Sequence, residues 1–139
     1  MKTLNVVAAI VEHDGKILCV RRGPSKHPYI HQKWEFPGGK IEPGEAQTVA
    51  LLREIREELN VCIDVKRWLM TIEHTYPDFK LIMDMYICSL AKDQSPVNIS
   101  LNEHIAFTWL SSFSNEFSTL DWAAADLPAV MELARGIRK

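Results

Sequence analysis

Three glutamates near the middle of the chain have the type and spacing to do chemistry. Glu54, Glu57 and Glu58 lie three and four residues apart in a stretch with the apolar period of a helix, so they project from one side of it. Like charges at these spacings repel and weaken a helix by about a few tenths of a kcal/mol per pair. Such clusters are usually solvated helix faces, but a bound cation would also remove the repulsion.

Neighbouring residues favour a metal site over a solvated face. Gly38 and Gly39 precede the helix and let backbone carbonyls approach a ligand closely. Glu45 adds a carboxylate at the helix start, and Arg53 lies one turn before Glu57, where it can orient that side chain. Mg²⁺ prefers oxygen ligands such as these, whereas zinc usually takes histidine or cysteine, which the cluster lacks. The segment therefore predicts a magnesium site suited to phosphoryl chemistry.

A loop and a helix over about 45–59 must position these glutamates. The residues expected on the apolar side of that helix are Thr48, Leu51, Leu52, Ile55 and Leu59. Asn60 is expected to end the helix, because Asn is common where a helix closes in a left-handed conformation.

The rest of the chain predicts strands and one further helix. We expect a hairpin over 4–22 turning at Asp14-Gly15, a strand at 33–40 broken at Pro37, strands over 61–77, 79–91 and 103–110, and a helix over 126–137. Strands, helix, strands, helix is an order that predicts one α/β domain over 1–139, with the helices packed on a mixed sheet.

Composition limits the partners and the compartment. The formal net charge of -2 argues against a nucleic acid polymer or a membrane held by bulk electrostatics. Cys19, Cys62 and Cys88 lie in apolar runs and are expected to be buried, reduced thiols, which suits the cytoplasm. The N-terminal region has neither the apolar run of a signal peptide nor that of a membrane span. We expect a cytoplasmic monomer or homodimer.

The loop and helix closely resemble the Nudix box, Gly-x5-Glu-x7-Arg-Glu-(apolar)-x-Glu-Glu-x-Gly-(apolar). The matching positions are Gly39, Glu45, Arg53, Glu54, Ile55, Glu57, Glu58, Asn60 and Val61. Every charged position is present at the right spacing, and the one departure is Asn60 in place of the final glycine.

This resemblance implies a fold, a reaction and a set of site residues. The fold would be the Nudix α/β/α sandwich, and the reaction would be hydrolysis of a nucleoside diphosphate linked to another group, with Mg²⁺ or Mn²⁺. The positions that hold the metal in the family correspond here to Glu54, Glu57, Glu58 and the Gly38 carbonyl. Arg53 would orient a glutamate, while Gly39 and Glu45 would support the junction of loop and helix.

Two further stretches, "WEFPGGKIEPGE" and "LDWAAADLPAVMELARG", are similar to the MutT-like branch, which includes CTP pyrophosphohydrolases. Those enzymes cut a nucleoside triphosphate to the monophosphate and pyrophosphate, by water attack commonly placed at the β-phosphorus. The expected substrate is therefore CTP, dCTP or 8-oxo-dGTP, as in nucleotide pool sanitation. The alternatives are hydrolysis of a dinucleoside polyphosphate or ADP-sugar, and a non-catalytic module that only binds a nucleotide.

The same resemblance suggests substrate contacts. Arg22 aligns with an arginine that contacts phosphate, and Phe36 with an aromatic residue that packs on the base, although a core phenylalanine fits equally well. Lys40 either meets phosphate or is solvated. Glu103, in the loop before the last strand, is the candidate general base, with Glu54 or Glu57 as alternatives. The histidines expected to be solvated or structural are His27, His31, His74 and His104.

Asp126 carries the expectation about the base. The MutT branch that acts on 8-oxo-dGTP has Asn at the comparable place, which donates and accepts, whereas an ionised Asp only accepts. That would suit the amino group of cytosine, or the donors of a guanine edge. The alternative is that Asp126 caps the C-terminal helix. We therefore favour cytidine-type triphosphates, with 8-oxo-dGTP next.

Overall fold

The computed structural model describes residues 1–111 and 115–135. Within these residues, seven strands form one mixed sheet. The strands are β1 Lys2–His13, β2 Lys16–Arg22, β3 Trp34–Glu35, β4 Gly38–Lys40, β5 Ile63–Thr75, β6 Phe79–Leu90 and β7 His104–Ser111. The helices are α1 Gln47–Leu59 and α2 Leu127–Ala134, with 3-10 turns at Asn115–Thr119 and Ala124–Asp126. This arrangement confirms the predicted α/β class.

Strand β1 organises the sheet. It pairs in parallel with β6, and on its other side it pairs antiparallel with β2 near its end and with β4 at Val6, Val7 and Ala8. The sheet order is β3-β2-β1-β6-β5, with β4 on β1 and β7 on β2. Because β4 carries Gly38 and Gly39, this split pairing fixes the glycine loop against the middle of the sheet.

Each face of β1 is covered by one of the two helices. Alternate side chains Val7, Ala9 and Val11 belong to the apolar cluster that contains the buried residues of α1. The intervening residues Ala8 and Ile10 belong to the cluster that contains the buried residues of α2. The sheet therefore lies between the helices, as in the α/β/α sandwich that the resemblance implied.

Local signals for turns and helix ends were accurate. Asp14 and Gly15 both have positive φ, 50° and 77°, as a two-residue hairpin turn requires. Asn60 closes α1 in the left-handed conformation with φ 54°, and its backbone N–H donates to the Arg56 carbonyl.

The predicted apolar face of α1 was partly wrong. Ala50 is buried beside Leu51, Ile55 and Leu59, whereas Leu52 is 44% exposed and Thr48 is also exposed. The helix begins at Gln47, two residues later than expected. Its buried face is centred on Leu51 and Ile55, so Leu52 lies at the edge of that face.

Two further expectations differ from the structure or exceed it. Cys19 and Cys88 are buried, but Cys62 is exposed just beyond α1, so the prediction of three buried thiols was wrong. The C-terminal helix begins at Leu127, and the part predicted over 136–137 lies outside the described residues. No helix in the described ranges is long and apolar enough to cross a membrane.

Candidate active site

A cleft of about 1460 Å³ joins the glycine loop and α1 to the segment before α2. One end is lined by the predicted acidic cluster, and the other end by the predicted base-recognition residues. The predicted site residues that line the cleft are Arg22, Phe36, Gly38, Gly39, Lys40, Arg53, Glu54, Glu57, Glu58, Glu103 and Asp126. Glu45 lies behind this lining, where it contacts Arg53.

The two loop glycines are required by close packing. A Cβ on Gly38 would lie 1.9 Å from the Val7 carbonyl oxygen of β1. A Cβ on Gly39 would lie 2.2 Å from Oε1 of Glu54, because the carboxylate rests directly against the loop backbone. A larger residue at either position would push the loop off β1 or displace Glu54.

Arg53 forms the centre of a network at one end of the cluster. Its Nε and one terminal nitrogen donate to the two Glu45 oxygens at 2.8 and 2.9 Å. The guanidinium also donates to Glu54 and Glu57, both at 3.1 Å, and to the Lys40 carbonyl at 3.0 Å. These hydrogen bonds lower the pKa of Glu45 to about 2. The structure thus brings together the residues expected to orient a glutamate and to support the loop.

Glu58 lies at the other end of the cluster without such a partner. Its Oε2 atom is buried and has no hydrogen-bond partner among the described residues. Burial raises the pKa of Glu58, and the charge of Glu103 raises it further. Burial likewise raises the pKa of Glu54, although Arg53 opposes the shift. Glu103, exposed at the entry to β7, is therefore close enough to act on the same cluster.

The residues of this cluster fit a divalent cation by their chemistry. The side chains supply carboxylate oxygens only, and Oε2 of Glu58 has no hydrogen-bond partner in the part of the chain that the structure describes. In the described ranges, no three Asp, Glu, His or Cys side chains already converge on a common point, since Arg53 holds Glu54 and Glu57. A cation would therefore compete with Arg53 for those two carboxylates, and it would also neutralise the negative charge of Glu58.

Asp126 lies at the far end of the cleft, at the N-cap position of α2, and the alternative that its side chain caps that helix was wrong. Its side chain makes no capping hydrogen bond to α2, and its Oδ2 instead accepts from the Phe36 backbone N–H at 2.9 Å. The carboxyl is 4% exposed, and burial together with the nearby charge of Glu35 raises its pKa well above the usual range. A carboxyl that keeps its proton both donates and accepts.

Hydrogen bonds from the chain before α2 bring Asp126 to this place. Trp34 N–H of β3 donates to the Asp121 carbonyl, and Ala123 N–H donates back to Trp34, each at 2.8 Å. Phe36, next along from β3, is 2% exposed, and its ring centroid lies 4.9 Å from that of Trp122. Phe36 is thus a core residue that forms the floor of the cleft.

The two predicted phosphate contacts differ in their surroundings. Arg22 is 40% exposed and donates to Glu35 Oε1 at 3.3 Å. Lys40 has an exposed side chain, and its carbonyl oxygen is bound by Arg53.

Glu35 and His104 were missed as site residues. The His104 side chain is only 7% exposed, and its Nε2 lies 2.9 Å from Glu35 Oε2. Of the two roles expected for His104, solvated or structural, this burial excludes the solvated one. The two residues stand 69 positions apart on β3 and β7, and no local pattern in the sequence connects them.

A comparison with known protein families decides the identity. A family model described as the NUDIX domain matches residues 6–134. The chain belongs to the Nudix family. Nudix hydrolases generally use a divalent metal ion and act on nucleotides.

Individual relatives place this Nudix chain among hydrolases. The CTP pyrophosphohydrolase of Escherichia coli (strain K12) is 36% identical over 128 residues, which is 92% of this chain and 89% of that protein. The 8-oxo-dGTP diphosphatase of Proteus vulgaris is 29% identical over 93 residues, 67% of this chain and 82% of that protein. The solution structure of the E. coli ORF135 protein superimposes with a TM-score of 0.77 at 33% identity, covering 99% and 92% of the two chains. This Nudix chain is an enzyme, a Nudix hydrolase.

Proposed function

We propose that this Nudix hydrolase cuts nucleoside triphosphates to the monophosphate and pyrophosphate with Mg²⁺, which Mn²⁺ can replace. The observation that carries the proposal is the cleft itself. At one end it has an acidic cluster with a buried carboxylate oxygen that has no hydrogen-bond partner among the described residues, and at the other a buried, hydrogen-bonding carboxyl. Such a cleft suits a molecule with a charged phosphate chain at one end and a base at the other.

The acidic end would hold the cation. Glu54, Glu57, Glu58 and the carbonyl of Gly38 are the groups that would bind it. When bound, a divalent cation neutralises the charge of the phosphates and so favours attack on phosphorus. Arg22 and Lys40 line the same cleft and supply positive charge for the remaining phosphate oxygens.

Glu103 is the residue of this chain proposed to accept the proton of the attacking water. It is exposed to the cleft and stands close enough to Glu58 to raise the pKa of that carboxyl. Arg53 meanwhile holds Glu45 and stiffens the loop against α1, so that the carboxylates keep their places while the phosphate chain is bound. These roles assign proton transfer to the loop before β7 and positioning to the start of α1.

The base end supports two classes of substrate. Burial and the charge of Glu35 raise the pKa of Asp126, and in its protonated form the carboxyl would donate as well as accept, so Asp126 is compatible with an oxidised purine as well as with cytosine. We place cytidine-type triphosphates first, because the CTP pyrophosphohydrolase is 36% identical over 92% of this chain. We place 8-oxo-dGTP second, since the 8-oxo-dGTP diphosphatase of Proteus vulgaris is 29% identical over 67% of this chain.

A specificity panel tests this proposal. The measurement is kcat/KM for pyrophosphate release from CTP, dCTP, 5-methyl-dCTP, dGTP and 8-oxo-dGTP, by the natural protein and by Asp126→Asn. We expect a cytidine nucleotide to be the best substrate, and the substitution to change the ratio of cytidine to 8-oxo-dGTP activity about tenfold or more, as one base contact is worth about 1–3 kcal/mol. Asp64→Asn, at an exposed position on β5 outside the cleft lining, is the matched control.

Two results would contradict the proposal. Dominance of 8-oxo-dGTP with an unchanged ranking in Asp126→Asn would remove both the cytidine preference and the role of Asp126. Tight nucleotide binding without any pyrophosphate release would replace hydrolysis of triphosphates by a binding function.

A further inference from the structure

His104 lies between a carboxylate at each end of the cleft. Its Nε2 is 2.9 Å from Oε2 of Glu35, and its Nδ1 is 3.8 Å from Oε2 of Glu58. The ring is 7% exposed, so bulk solvent contributes little to either contact. One side chain thus faces both the nucleoside end, through Glu35, and the acidic cluster, through Glu58.

Nδ1 of His104 faces Glu58 without forming a hydrogen bond to it. In the part of the chain that the structure describes, Nδ1 of His104 and Oε2 of Glu58 are both buried, and neither has a hydrogen-bond partner. Buried polar atoms are normally satisfied, because an unmade hydrogen bond costs free energy. Here two such atoms face each other across a gap that a small shift of the Glu58 side chain would close. The pair is therefore placed to respond when Glu58 moves.

The backbone fixes the histidine independently of its ring contacts. His104 pairs with Arg22 at the end of β2, after a shift of register next to Arg21. The preceding chain is held by a bond from the Asn102 N–H to the Glu58 carbonyl at 3.1 Å. A Cβ on Gly23 would lie 2.9 Å from the Glu103 carbonyl oxygen, so the strand entry is closely packed. The ring is thus anchored where it can hold other groups in place.

Glu35 at the other side of His104 also contacts charged groups. Glu35 accepts from Arg22 at 3.3 Å on its other oxygen, and its charge acts on the buried carboxyl of Asp126. A chain of polar side chains therefore runs from Arg22 through Glu35 and His104 to Glu58.

We propose that His104 is a positioning residue that couples the two ends of the cleft, orienting Glu35 through Nε2 and Glu58 through Nδ1. It touches neither phosphate nor base in this role. The proposal rests on the proposed function in one respect, that Glu58 is a metal ligand. As a consequence, loss of the contact at Nδ1 should lower metal affinity and kcat, whereas loss of the contact at Nε2 should weaken nucleotide binding.

Two isosteric substitutions separate the nitrogens. Glutamine places its amide nitrogen near the position of Nε2, so His104→Gln keeps a hydrogen-bonding group beside Glu35 and loses the ring nitrogen that faces Glu58. Asparagine places its amide nitrogen near Nδ1, so His104→Asn keeps a hydrogen-bonding group facing Glu58 and loses the ring nitrogen beside Glu35. His13→Gln, at the far end of β1, is the control, and thermal unfolding confirms that each variant is folded.

The readouts are Mn²⁺ affinity without nucleotide, followed by the electron paramagnetic resonance of free Mn²⁺, and kcat and KM for CTP at saturating Mg²⁺. For His104→Gln we expect Mn²⁺ affinity and kcat to fall about 10-fold or more, as for loss of an outer-shell partner, with KM within about twofold of the natural value. For His104→Asn we expect the reverse, a KM raised about 5-fold or more with nearly natural Mn²⁺ affinity.

The proposal would be overturned if Mn²⁺ affinity and the KM for CTP changed to the same extent in the two variants, or if neither changed. The ring would then only fill space. If a variant does not fold, ¹⁵N-labelled histidine in the natural protein gives the answer. Mg²⁺ without nucleotide should shift the His104 ring resonances and leave those of His13 unchanged, and an unshifted His104 would overturn the coupling. A natural protein that bound Mn²⁺ but released no pyrophosphate would fail the proposed function, while the Mn²⁺ comparison would still decide the role of His104.

Discussion

The carboxylates at the two ends of the acidic cluster differ in their hydrogen-bond partners and in the direction of their pKa shifts. Glu45 is held by two hydrogen bonds from Arg53 and a third from the Glu42 backbone, and its pKa falls to about 2. Glu58 has a buried oxygen with no partner among the described residues, and its pKa is raised by burial and by Glu103. The same residue type thus has a lowered pKa at one end and a raised pKa at the other.

The difference separates a structural carboxylate from one kept available for a ligand. Glu45 makes its interactions within the chain and stabilises the junction of loop and helix. Burial of Glu58 raises its pKa although His104 and the Glu103 backbone partly oppose the shift, and a bound cation would favour the charged form further. The repulsion among Glu54, Glu57 and Glu58 is accordingly relieved by Arg53 on one side and left for a ligand on the other.

The largest expected effect comes from Glu58→Gln. Removal of this carboxylate should lower kcat/KM for pyrophosphate release about 10³-fold, since metal-assisted charge stabilisation is worth several kcal/mol. At the same time the metal-free protein should unfold at a higher temperature at pH 7, because a carboxylate whose charged form is disfavoured by burial is lost. Glu73→Gln, an exposed position on β5, is the control for both measurements. Unchanged activity, or a lower Tm without metal, would place Glu58 with Glu45 as a structural residue.

Glu45→Gln should have a smaller effect on activity and the opposite effect on stability. Arg53 would lose its main partner, so we expect kcat/KM to fall about 10- to 100-fold, as for other groups that position metal ligands. The metal-free Tm should fall, because the substitution removes a satisfied ion pair. A rise in Tm, measured beside Glu58→Gln under the same conditions, would break the distinction between the two ends.

The two carboxylates should also give opposite pH dependences of metal-free stability. The folded pKa of Glu58 is above its usual 4.5, so this group favours the fold at low pH, and that contribution is lost as pH rises from 4.5 through the raised value. Glu45 has a folded pKa of about 2, so its contribution is present above 4.5 and is lost as pH falls toward 2.

Thermal unfolding of the variants across pH tests these signs. The stabilisation by Glu58→Gln should be near zero below pH 4.5 and grow as pH rises toward neutrality. The destabilisation by Glu45→Gln should be full at pH 7 and shrink under strongly acidic conditions. Parallel curves for the two variants would contradict the assignment of one paired and one unpaired carboxylate.

The smallest effect is expected on the outer face of the helix that carries the cluster. Leu52 is 44% exposed, so Leu52→Ala should change the free energy of unfolding by less than about 0.5 kcal/mol. Its neighbour Leu51 is fully buried, and Leu51→Ala should cost about 2–5 kcal/mol. Urea denaturation of both variants checks the orientation of the helix, and equal losses would mean that the face bearing the glutamates is rotated from the position described.

The features that the sequence predicted correctly depend on neighbours along the chain. The hairpin follows from Asp14-Gly15, and the end of α1 from Asn60, because each is a backbone conformation favoured by the local residue. The link from Arg53 to Glu57 follows from their spacing on one helix. These are interactions within a single turn or hairpin, where residue type and spacing determine the geometry.

The features that the sequence did not predict depend on contacts across the sheet. Asp126 looked like a helix cap, but its partner is the backbone of Phe36, 90 positions away. Glu35 and His104 meet only because β2 lies between β3 and β7. Leu52 matched the helical period almost as well as Ala50, and only the packing of α1 on β1 distinguishes them. Local pattern therefore located the acidic cluster, while the base end required the tertiary structure.

The most direct test of the account is the metal dependence of the products formed from CTP. The protein is first treated with EDTA and then titrated with Mg²⁺ or Mn²⁺, while CMP and pyrophosphate are quantified together. We expect no turnover without metal, and equal amounts of CMP and pyrophosphate once either ion is added. Undiminished turnover after EDTA, or release of orthophosphate in place of pyrophosphate, would contradict it.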